Sequence, residues 1–338
     1  MLNPFTGDAF QLVSMVAAIN RLPNQYGRLK TSGLFAVKGV TQRTILVERK
    51  DGVLNILSPL PVGSPGWKNT HGTRSIRSFV VPHYPLDDVI LPQDYDGVRK
   101  FGTEDQVEAA ASIMNDRLQT MKNKHDITLE WLLIGALKGI MYHADASTII
   151  YDLYKEFLIT RKEVDFVLGT STTDIKKKCL EVKRHIETNL KGEVYNGTIR
   201  VLVDKDFFDA LTNHAKVITA YERWMSGAAL RDDMRKGFPF AGLTFEEYEA
   251  TSTDSDGNAR KFLASKDGVA YPEGTQNTFK LFFSPADFME TVNTIGLPYY
   301  AKQKERDFGR GVDVHTQTNP LPMCCRPEIC VRVYTSTV

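Results

Sequence analysis

The chain has 338 residues, which is long enough for about two domains that each bury a core. Its hydrophobic share of 42% and charged share of 25% are ordinary for a folded protein, and 42 basic against 41 acidic residues leave a net charge of +1. This charge balance does not indicate a protein that binds a polyanion through its overall charge. No run of residues is long and apolar enough to cross a bilayer. The four cysteines, in a chain without a secretory signal, indicate reduced thiols in a cytosol.

The first part of the chain contains one short helix and several β-rich runs. Residues 8–22 predict an amphipathic helix that ends at Pro23 and has, by itself, no core to join. Residues 43–60 predict two strands about an Asp51-Gly52 turn, and residues 73–82 predict a third strand. The connection 58–72 is rich in proline and glycine. We therefore expect residues 34–82 to form an arm whose packing partner lies elsewhere, including on another molecule.

The strongest helix signal lies between residues 103 and 139. Thr103 is a candidate N-cap, and the apolar residues that follow it at three- and four-residue steps predict one buried face. These residues are Val107, Ala111, Met114, Leu118 and Met121. An unbroken helix would be about 55 Å long, and a kink at His125-Asp126 would divide it in two. We interpret the methionines as core residues and not as a cofactor site.

The second half of the chain predicts alternating helices and strands. Residues 143–157 predict a turn and a strand pair, and residues 205–224 predict a helix. Turns are predicted at Asn196-Gly197, as the centre of a hairpin, and at Asp267-Gly268, whereas residues 245–257 predict a mobile polar loop.

A second amphipathic helix is predicted over residues 172–190. Its buried face would hold Ile175, Cys179, Val182, Ile186 and Leu190. Its opposite face carries Lys176, Lys177, Lys178, Lys183 and Arg184, which predict a solvated surface or, as the alternative, a contact with phosphates.

The sequence offers little enzyme chemistry. It contains none of the common phosphate-binding, dinucleotide-binding, zinc-protease or serine-hydrolase motifs. His143 and Asp145 could hold a metal or act as acid and base, but their place after a helix favours a polar turn. Cys324 and Cys325 are adjacent, which is not zinc-ligand spacing, so with Cys330 we interpret them as buried small side chains that bind no metal and form no bridge. We predict no catalytic residue and no cofactor.

Several segments, in a fixed order along nearly the whole chain, resemble one family. They are AINRLPNQYGRLKTSGLF, KGVTQRTILVERKDGVLNI, GSPG, FVVPHYPLDDVI, GVRKFGTE, GALKGIMYHADAS, SPADFMETVNTIGLPYYAKQ and QTNPLPMCCRPE. Together they resemble the major capsid proteins of the phage lambda coat type (capsid protein E family), which build the icosahedral heads of tailed phages. Two positions depart from the family pattern: Val62 stands where an arginine is expected, and Leu158-Ile159 stands where a glycine is usual.

The resemblance implies an α+β fold, the tailed-phage major capsid fold, with defined regions. They would be an N-terminal arm (1–33), an extended β-hairpin loop (34–82), a peripheral domain with a long spine helix (83–190), an axial domain (191–319) and a C-terminal strand that returns to the peripheral domain (320–338). The expected contact residues between subunits belong to the extended loop: Gly63, Pro65, Gly66, Trp67, Arg74 and Arg77.

The function implied is self-assembly into the pentamers and hexamers of a shell that encloses a double-stranded DNA genome. Expected partners are further copies of the chain, scaffolding and portal proteins, a decoration protein and packaged DNA held by non-specific contacts, with no membrane. The shell would be part of the virion and would assemble in the host cytoplasm. The alternatives are the shell of a cellular nanocompartment with the same fold and, from another class, a cytosolic enzyme that uses His143 and Asp145.

Overall fold

The computed structural model describes residues 11–21, 27–50, 74–94, 106–224, 234–254 and 256–337. Helices and strands are mixed along the chain, which confirms the α+β class. The helices are α1 (Leu12–Arg21), α2 (Arg28–Ser32), α3 (Gln106–Lys138), α4 (Leu153–Glu156), α5 (Ile175–Asn189), α6 (Lys205–Thr212) and α7 (Ala215–Trp224). The strands are β1 (Ala36–Gly39), β2 (Thr44–Lys50), β3 (Arg74–Val80), β4 (Tyr84–Ile90), β5 (Ile140–Tyr142), β6 (Ile149–Asp152), β7 (Lys162–Asp165), β8 (Ile199–Val203), β9 (Phe238–Phe240), β10 (Leu243–Glu247), β11 (Thr251–Thr253), β12 (Ala259–Lys261), β13 (Asp267–Pro272), β14 (Phe279–Phe283), β15 (Tyr300–Glu305), β16 (Val312–Thr318), β17 (Pro320–Cys324) and β18 (Val331–Tyr334).

The chain divides into two compact units, each built from three segments. Unit 1 comprises Met1–Ile45, Phe79–Leu133 and Lys280–Met323, and unit 2 comprises Leu46–Ser78, Ile134–Phe279 and Cys324–Val338. Residues 280–319, which the predicted map groups with the axial domain, cluster in unit 1 because β16 pairs with β4 along its whole length. Contacts between strands distant in sequence cause this grouping, and local pattern does not reveal them.

Unit 1 contains two three-stranded sheets. Their strand orders are β15-β16-β4, which is antiparallel, and β1-β14-β17. The predicted N-terminal helix is present as α1, and here it does find a core. Met15 and Ile19 of α1 are buried with Ile90, Leu118 and Val314. The first helix is therefore part of the packed interior of unit 1.

Helix α3 is the predicted long helix. It runs without a break for 33 residues, which corresponds to about 50 Å. Met114, Leu118 and Met121 are buried, as their spacing predicts. The Thr103 cap and the side chains of Val107 and Ala111 lie outside the described residues. The helix continues through His125 and Asp126 without the kink considered for this pair, and both side chains have buried hydrogen-bond partners beside it.

Unit 2 is organised around a six-stranded mixed sheet of order β7-β18-β13-β8-β10-β9. The pairs β8–β10 and β7–β18 are parallel, and the others are antiparallel. The predicted apolar face is confirmed, because four of its residues are buried in α5 and the fifth, Leu190, is buried directly after the helix. On the opposite face Lys176, Lys177 and Arg184 are exposed, while Lys178 and Lys183 are half-buried.

The hairpin predicted at Asn196-Gly197 and the turn predicted at Asp267-Gly268 are wrong because the sheet is completed by distant strands. Gly197 does lie in a turn with φ of +84°, but no strand precedes it, since both edges of β8 are already paired with β10 and β13. Asp267 and Gly268 lie inside β13 and not in a turn. The turn falls one residue earlier, at Lys266, whose φ is +62°.

Two further predictions are corrected. The helix predicted over 205–224 is two helices, α6 and α7, because buried His214 interrupts it and bonds the carbonyl of Thr170 through Nε2 at 3.1 Å. The segment 245–257, predicted as a mobile polar loop, contributes its described residues to β10 and to the first strand of the β11–β12 hairpin. Asp254 organises that hairpin, because its carboxylate accepts from the backbone N–H of Asn258 at 2.8 Å and from Arg260 Nε at 2.9 Å.

The remaining elements follow the predictions in part. Residues 143–157 form a turn flanked by β5 and β6, as predicted, but continue into α4. The C-terminal segment contains two strands and not one, because a turn at Pro327–Ile329 separates β17 from β18. Strand β18 lies in the six-stranded sheet between β7 and β13. Strand β17 pairs with β14 in the three-stranded sheet β1-β14-β17.

Candidate intersubunit surfaces

Of the six predicted contact residues, four lie between β2 and β3 in the sequence and two lie on β3. Gly63, Pro65, Gly66 and Trp67 lie outside the described residues. Arg74 begins β3, and Arg77 is half-buried on the same strand. The structure pairs β2 with β3, the third predicted strand, while the Asp51-Gly52 turn lies outside the described residues. The role of these six residues stays a prediction.

The β2–β3 ribbon carries apolar side chains at several exposed positions as well as at its buried positions. Ile45, Val47 and Phe79 are buried, whereas Leu46 and Val80 are 68% and 57% exposed. Alternate side chains of a strand point to opposite faces, so burial alternates as expected. Apolar side chains on the open face are costly to leave in water, and they suit a surface that another molecule covers.

The turn between β15 and β16 presents an aromatic side chain that the sequence analysis missed. Phe308 is 91% exposed and has a φ of +63°, a conformation that favours glycine. The guanidinium of Arg310 lies 5.3 Å from the ring centroid, and Arg306 Nε bonds Asp313 Oδ1 at 2.6 Å. The available signal was an aromatic residue between charged residues and glycines, in RDFGRG. This exposed tip is a second candidate contact.

A buried polar cluster in unit 1 fixes α2 against α3. Glu130 of α3 accepts hydrogen bonds from the backbone N–H groups of Leu29, at 2.7 Å, and Lys30, at 3.2 Å. Lys30 Nζ lies 2.6 Å from Asp126 Oδ1 and 2.7 Å from the hydroxyl of Tyr299, which itself donates to Asp126. Burial, and then the neighbouring Asp126 carboxylate, raise the pKa of Tyr299. The cluster thus anchors the chain just before it enters the predicted extended loop.

His125 lies in the same core. Its Nε2 is 3.0 Å from Thr316 Oγ1, and the side chain is almost fully buried. Burial, with a smaller effect of His315, lowers the pKa of His125 from its ordinary 6.5 to about 4. The imidazole is therefore neutral at pH 7.

Asp145 is a turn residue, as its position after a helix predicts. Its carboxylate accepts from the backbone N–H groups of Ser147 and Thr148 and from both hydroxyls. The Thr148 hydroxyl bond is the largest cause that lowers the pKa of Asp145. Within the described ranges, no group of three or more His, Cys, Asp or Glu side chains could hold a metal, and no described helix is long and apolar enough to span a membrane.

The C-terminal cysteines pack as small buried side chains, with one exception. Cys324 and Cys330 are buried, and their sulfurs are 3.8 Å apart, while Cys325 is half-buried. All three are free thiols, and burial raises the pKa of Cys324. That they bind no metal and form no bridge in an assembled shell stays a prediction.

Comparisons with known proteins identify phage major capsid proteins as relatives of this chain. The family model described as phage major capsid protein E matches residues 11–335. The major capsid protein of Salmonella phage Felix O1 is 29% identical and aligns over 98% of each chain. The major capsid protein of Pseudomonas phage KPP10 is 26% identical over 97% of this chain and 98% of its own.

Solved structures share the fold. The putative capsid protein of a prophage of E. coli CFT073 superposes with a TM-score of 0.60 at 16% identity, over 96% of this chain and 99% of its own. A subunit of the mature capsid of bacteriophage PhiM1 gives a TM-score of 0.51 at 13% identity, over 94% and 89%. At these identities the likeness concerns the fold alone.

Proposed function

The chain belongs to the phage major capsid protein E family, and from this membership we propose how it builds a shell. It is a major capsid protein, a structural component of a phage head and not an enzyme. The observation that carries this function is the family match over residues 11–335, together with capsid-protein relatives aligned end to end. The His143-Asp145 turn therefore needs no catalytic explanation.

We propose that copies of the chain assemble head to tail into pentamers and hexamers that close into an icosahedral shell. Heterologous contacts form closed rings when the rotation at each interface closes, and many moderate contacts cooperate in a stable whole. The exposed apolar residues Leu46 and Val80 on the ribbon and Phe308 at the β15–β16 tip support such contacts. The loop residues Gly63, Pro65, Gly66, Trp67, Arg74 and Arg77 are proposed to act in the same interfaces.

The regions of the subunit are proposed to follow the family pattern. Residues 1–33 and 34–82 would be the arm and extended loop, 83–190 the peripheral domain, 191–319 the axial domain and 320–338 the returning strand. Helix α3, at about 50 Å, supports the assignment of a spine helix.

Further partners are proposed from the same membership. Scaffolding and portal proteins would direct assembly in the host cytoplasm, and a decoration protein would add to the outer surface. The shell would enclose double-stranded DNA. The net charge of +1 supports loose, non-specific contacts with DNA, whose charge counterions can neutralise.

The test is to express the chain, separate assembled from free protein by sedimentation, and image the assembled fraction by electron microscopy. We expect closed particles of icosahedral outline. A protein that remains monomeric at every concentration, with no particles, would contradict the function. Nuclease-protected DNA in particles from infected or induced cells separates a phage head from a nanocompartment shell, which would contain protein cargo instead.

A further inference from the structure

Unit 1 displays a cluster of large apolar side chains on its surface, contributed by the segment between β14 and β15 and by strand β1. Met289 is 87% exposed, Ile295 64%, Val292 60% and Leu297 43%. Val37 of β1 is 64% exposed. We call these five residues the apolar loop patch. Single exposed apolar residues are ordinary, but four within nine consecutive residues are not.

Close backbone packing joins the two parts of the patch. A Cβ at Gly39 would lie 2.5 Å from both Ile295 Cγ2 and the carbonyl oxygen of Gly296. Gly296 N–H donates to the carbonyl of Val40 at 2.9 Å. Val37 and Gly39 point to the same face of β1, because side chains two apart in a strand do so. Val37 therefore lies on the same face of β1 as the position that Ile295 covers, two residues along the strand.

The loop is held in place, so the exposure is not a result of local unfolding. The hydroxyl of Thr291 donates to the carbonyl of Ala286 at 2.9 Å, and that of Thr294 donates to the carbonyl of Thr291 at 2.8 Å. The backbone N–H of Leu297 donates to the hydroxyl of Tyr300, a buried side chain, at 2.8 Å. A fixed apolar surface of this kind is ready for docking, since little conformational entropy is lost on binding.

Strand β1 adds a second, independent sign of an interface. It is an edge strand among the described strands, paired only with β14, and Ala36, Val37 and Lys38 are all exposed. An exposed edge carries unpaired backbone N–H and C=O groups, which soluble proteins usually cover or protect. The patch has a polar rim as well, where Lys302 Nζ bonds Glu290 Oε1 at 2.7 Å. An apolar centre with a polar rim is the usual composition of a protein interface.

We propose that the apolar loop patch is an intersubunit contact covered by a second copy of this chain. The inference rests on the proposed assembly, because in a shell of identical subunits the neighbours of each subunit are copies of itself. Continuity along the chain favours the same occupant: the proposed intersubunit ribbon begins at Thr44, five residues after Gly39. A decoration protein is the competing occupant, and the experiment separates the two.

Met289 is a natural probe of the patch, since hydrogen peroxide converts an accessible thioether to its sulfoxide with release of water. We would measure the oxidation rate of Met289 by mass spectrometry in free subunits, in particles assembled from this chain alone, and in urea-unfolded chain. Buried Met114 and Met121 are internal controls. We expect Met289 in free subunits to react nearly as fast as in unfolded chain, and at least about tenfold more slowly in particles.

Each other result overturns the proposal. Equal, rapid oxidation in subunits and particles means that the patch stays open to solvent. Slow oxidation already in free subunits means that the chain covers the patch itself. Protection that appears only when an accessory protein is added identifies that protein as the occupant. If particles form normally in these cases, the capsid function stands while this inference fails; a chain that never assembles contradicts both.

A paired substitution tests whether the contact contributes to assembly. Met289→Gln with Val292→Thr makes the two residues polar without changing the buried core. The matched control is Val194→Thr, which alters an exposed apolar residue, 76% exposed, outside the patch. We expect all subunits to melt within about 2 °C of the parent. Particle yield at a fixed protein concentration should fall at least about tenfold for the patch variant and stay unchanged for the control. Normal yield from the patch variant contradicts the proposal.

Discussion

At the residue scale, the backbone conformation of Leu158 explains why a glycine is usual at this position in the family. It follows the short helix α4, with a φ of +55° and an exposure of 81%. The backbone N–H of Leu158 donates to the carbonyl of Lys155, and the backbone N–H of Ile159 donates to the carbonyl of Tyr154. This pair of bonds is the Schellman ending of a helix, whose C′ position is left-handed and suits glycine. The leucine therefore occupies a strained conformation.

Leu158→Gly is expected to stabilise the subunit. A left-handed conformation costs an L-residue about 1–2 kcal/mol, and glycine recovers this at a smaller cost in unfolded-state entropy, so we expect a net gain of about 0.5–1 kcal/mol. The measurement is the free energy of unfolding of free subunits in urea. Val194→Gly, at an exposed site whose φ is negative, is the control and should lower stability. A less stable Leu158→Gly subunit would contradict the backbone assignment.

Gly268 is required for close packing inside the six-stranded sheet. A Cβ there would lie 2.6 Å from the carbonyl oxygen of Leu202 and 2.7 Å from Val203 Cγ1. We expect Gly268→Ala to cost about 1–3 kcal/mol, since neither the backbone nor the packed strand can move away cheaply. Gly237→Ala is the control, because its nearest neighbour would be Thr244 Cγ2 at an ordinary 3.6 Å. Thermal unfolding of both variants decides; equal melting temperatures would show that β13 is not packed as described.

His125 should make the subunit sensitive to acid. Its folded-state pKa of about 4 is below the ordinary 6.5, so the folded protein binds fewer protons between these values than the unfolded chain. Its contribution to stability is complete above about pH 6.5 and is lost as the pH falls to about 4, by about 3 kcal/mol.

The test compares the free energy of unfolding of the parent and of His125→Gln at pH 7, 6 and 5. We expect the variant to lose less stability than the parent over this range. His143→Gln, at an exposed site, is the control for the replacement of a histidine by glutamine. Parallel slopes for the parent and His125→Gln would show that this imidazole is not buried in the neutral form.

At the scale of elements, helix α2 depends on a side chain from another helix. Residue Gly27 at its N-terminus supplies no side-chain cap, and Glu130 of α3 accepts from the free N–H groups of Leu29 and Lys30 instead. Hydrogen bonds to a charged group contribute about 1.5–3 kcal/mol. A helix of five residues is too short to be stable alone, so its anchoring decides its order.

Glu130→Ala is therefore expected to release α2 locally. Amide hydrogen exchange at Leu29 and Lys30 should accelerate roughly tenfold or more, because each 1.4 kcal/mol of lost stability corresponds to a factor of ten. Glu130→Gln keeps one acceptor oxygen and should give a smaller effect. Exchange in the central strand β8, which belongs to unit 2, serves as the reference. Unchanged exchange at the two amides would mean that Glu130 does not hold α2.

At the scale of the whole molecule, the extended loop should matter for assembly more than for the subunit fold. We expect replacement of residues 58–72 by a short Gly-Ser turn to leave a folded monomer, because this proline- and glycine-rich stretch contributes little to a core. Assembly should fail or give fragile particles, since every subunit loses a repeated contact that includes Trp67.

The loop deletion is assessed by thermal unfolding of the monomer and by particle yield in sedimentation. Replacement of Trp67 alone by Ser, with the loop length kept, is the milder companion variant. A deletion variant that assembles normally would show that the loop is not an intersubunit clamp. One that unfolds outright would place the stretch in a subunit core.

The sequence by itself determined those features that depend on local pattern. Met114, Leu118 and Met121 recur at three- and four-residue steps in α3, and four apolar residues recur in the same way in α5. This spacing gives each helix one buried face, wherever that face packs. The Asp145 turn follows in the same way, since its bonds join residues two and three apart. The ordered family motifs are also local in the sequence, and they predicted the α+β capsid fold and the function.

Only the tertiary structure decided which strands pair, and this overruled local turn signals. Asn196-Gly197 has the residues of a hairpin, but β8 takes its partners from residues 243–247 and 267–272, so no local strand forms. Asp267-Gly268 likewise has the residues of a turn, but both lie in β13. Because Gly268 has no side chain, β13 can pack closely against Leu202. The exposure of the apolar loop patch likewise could not be predicted from local pattern. The physical reason is common to all: burial and strand pairing depend on contacts between residues far apart in the chain, whereas a sequence pattern records only what neighbours along the chain can do.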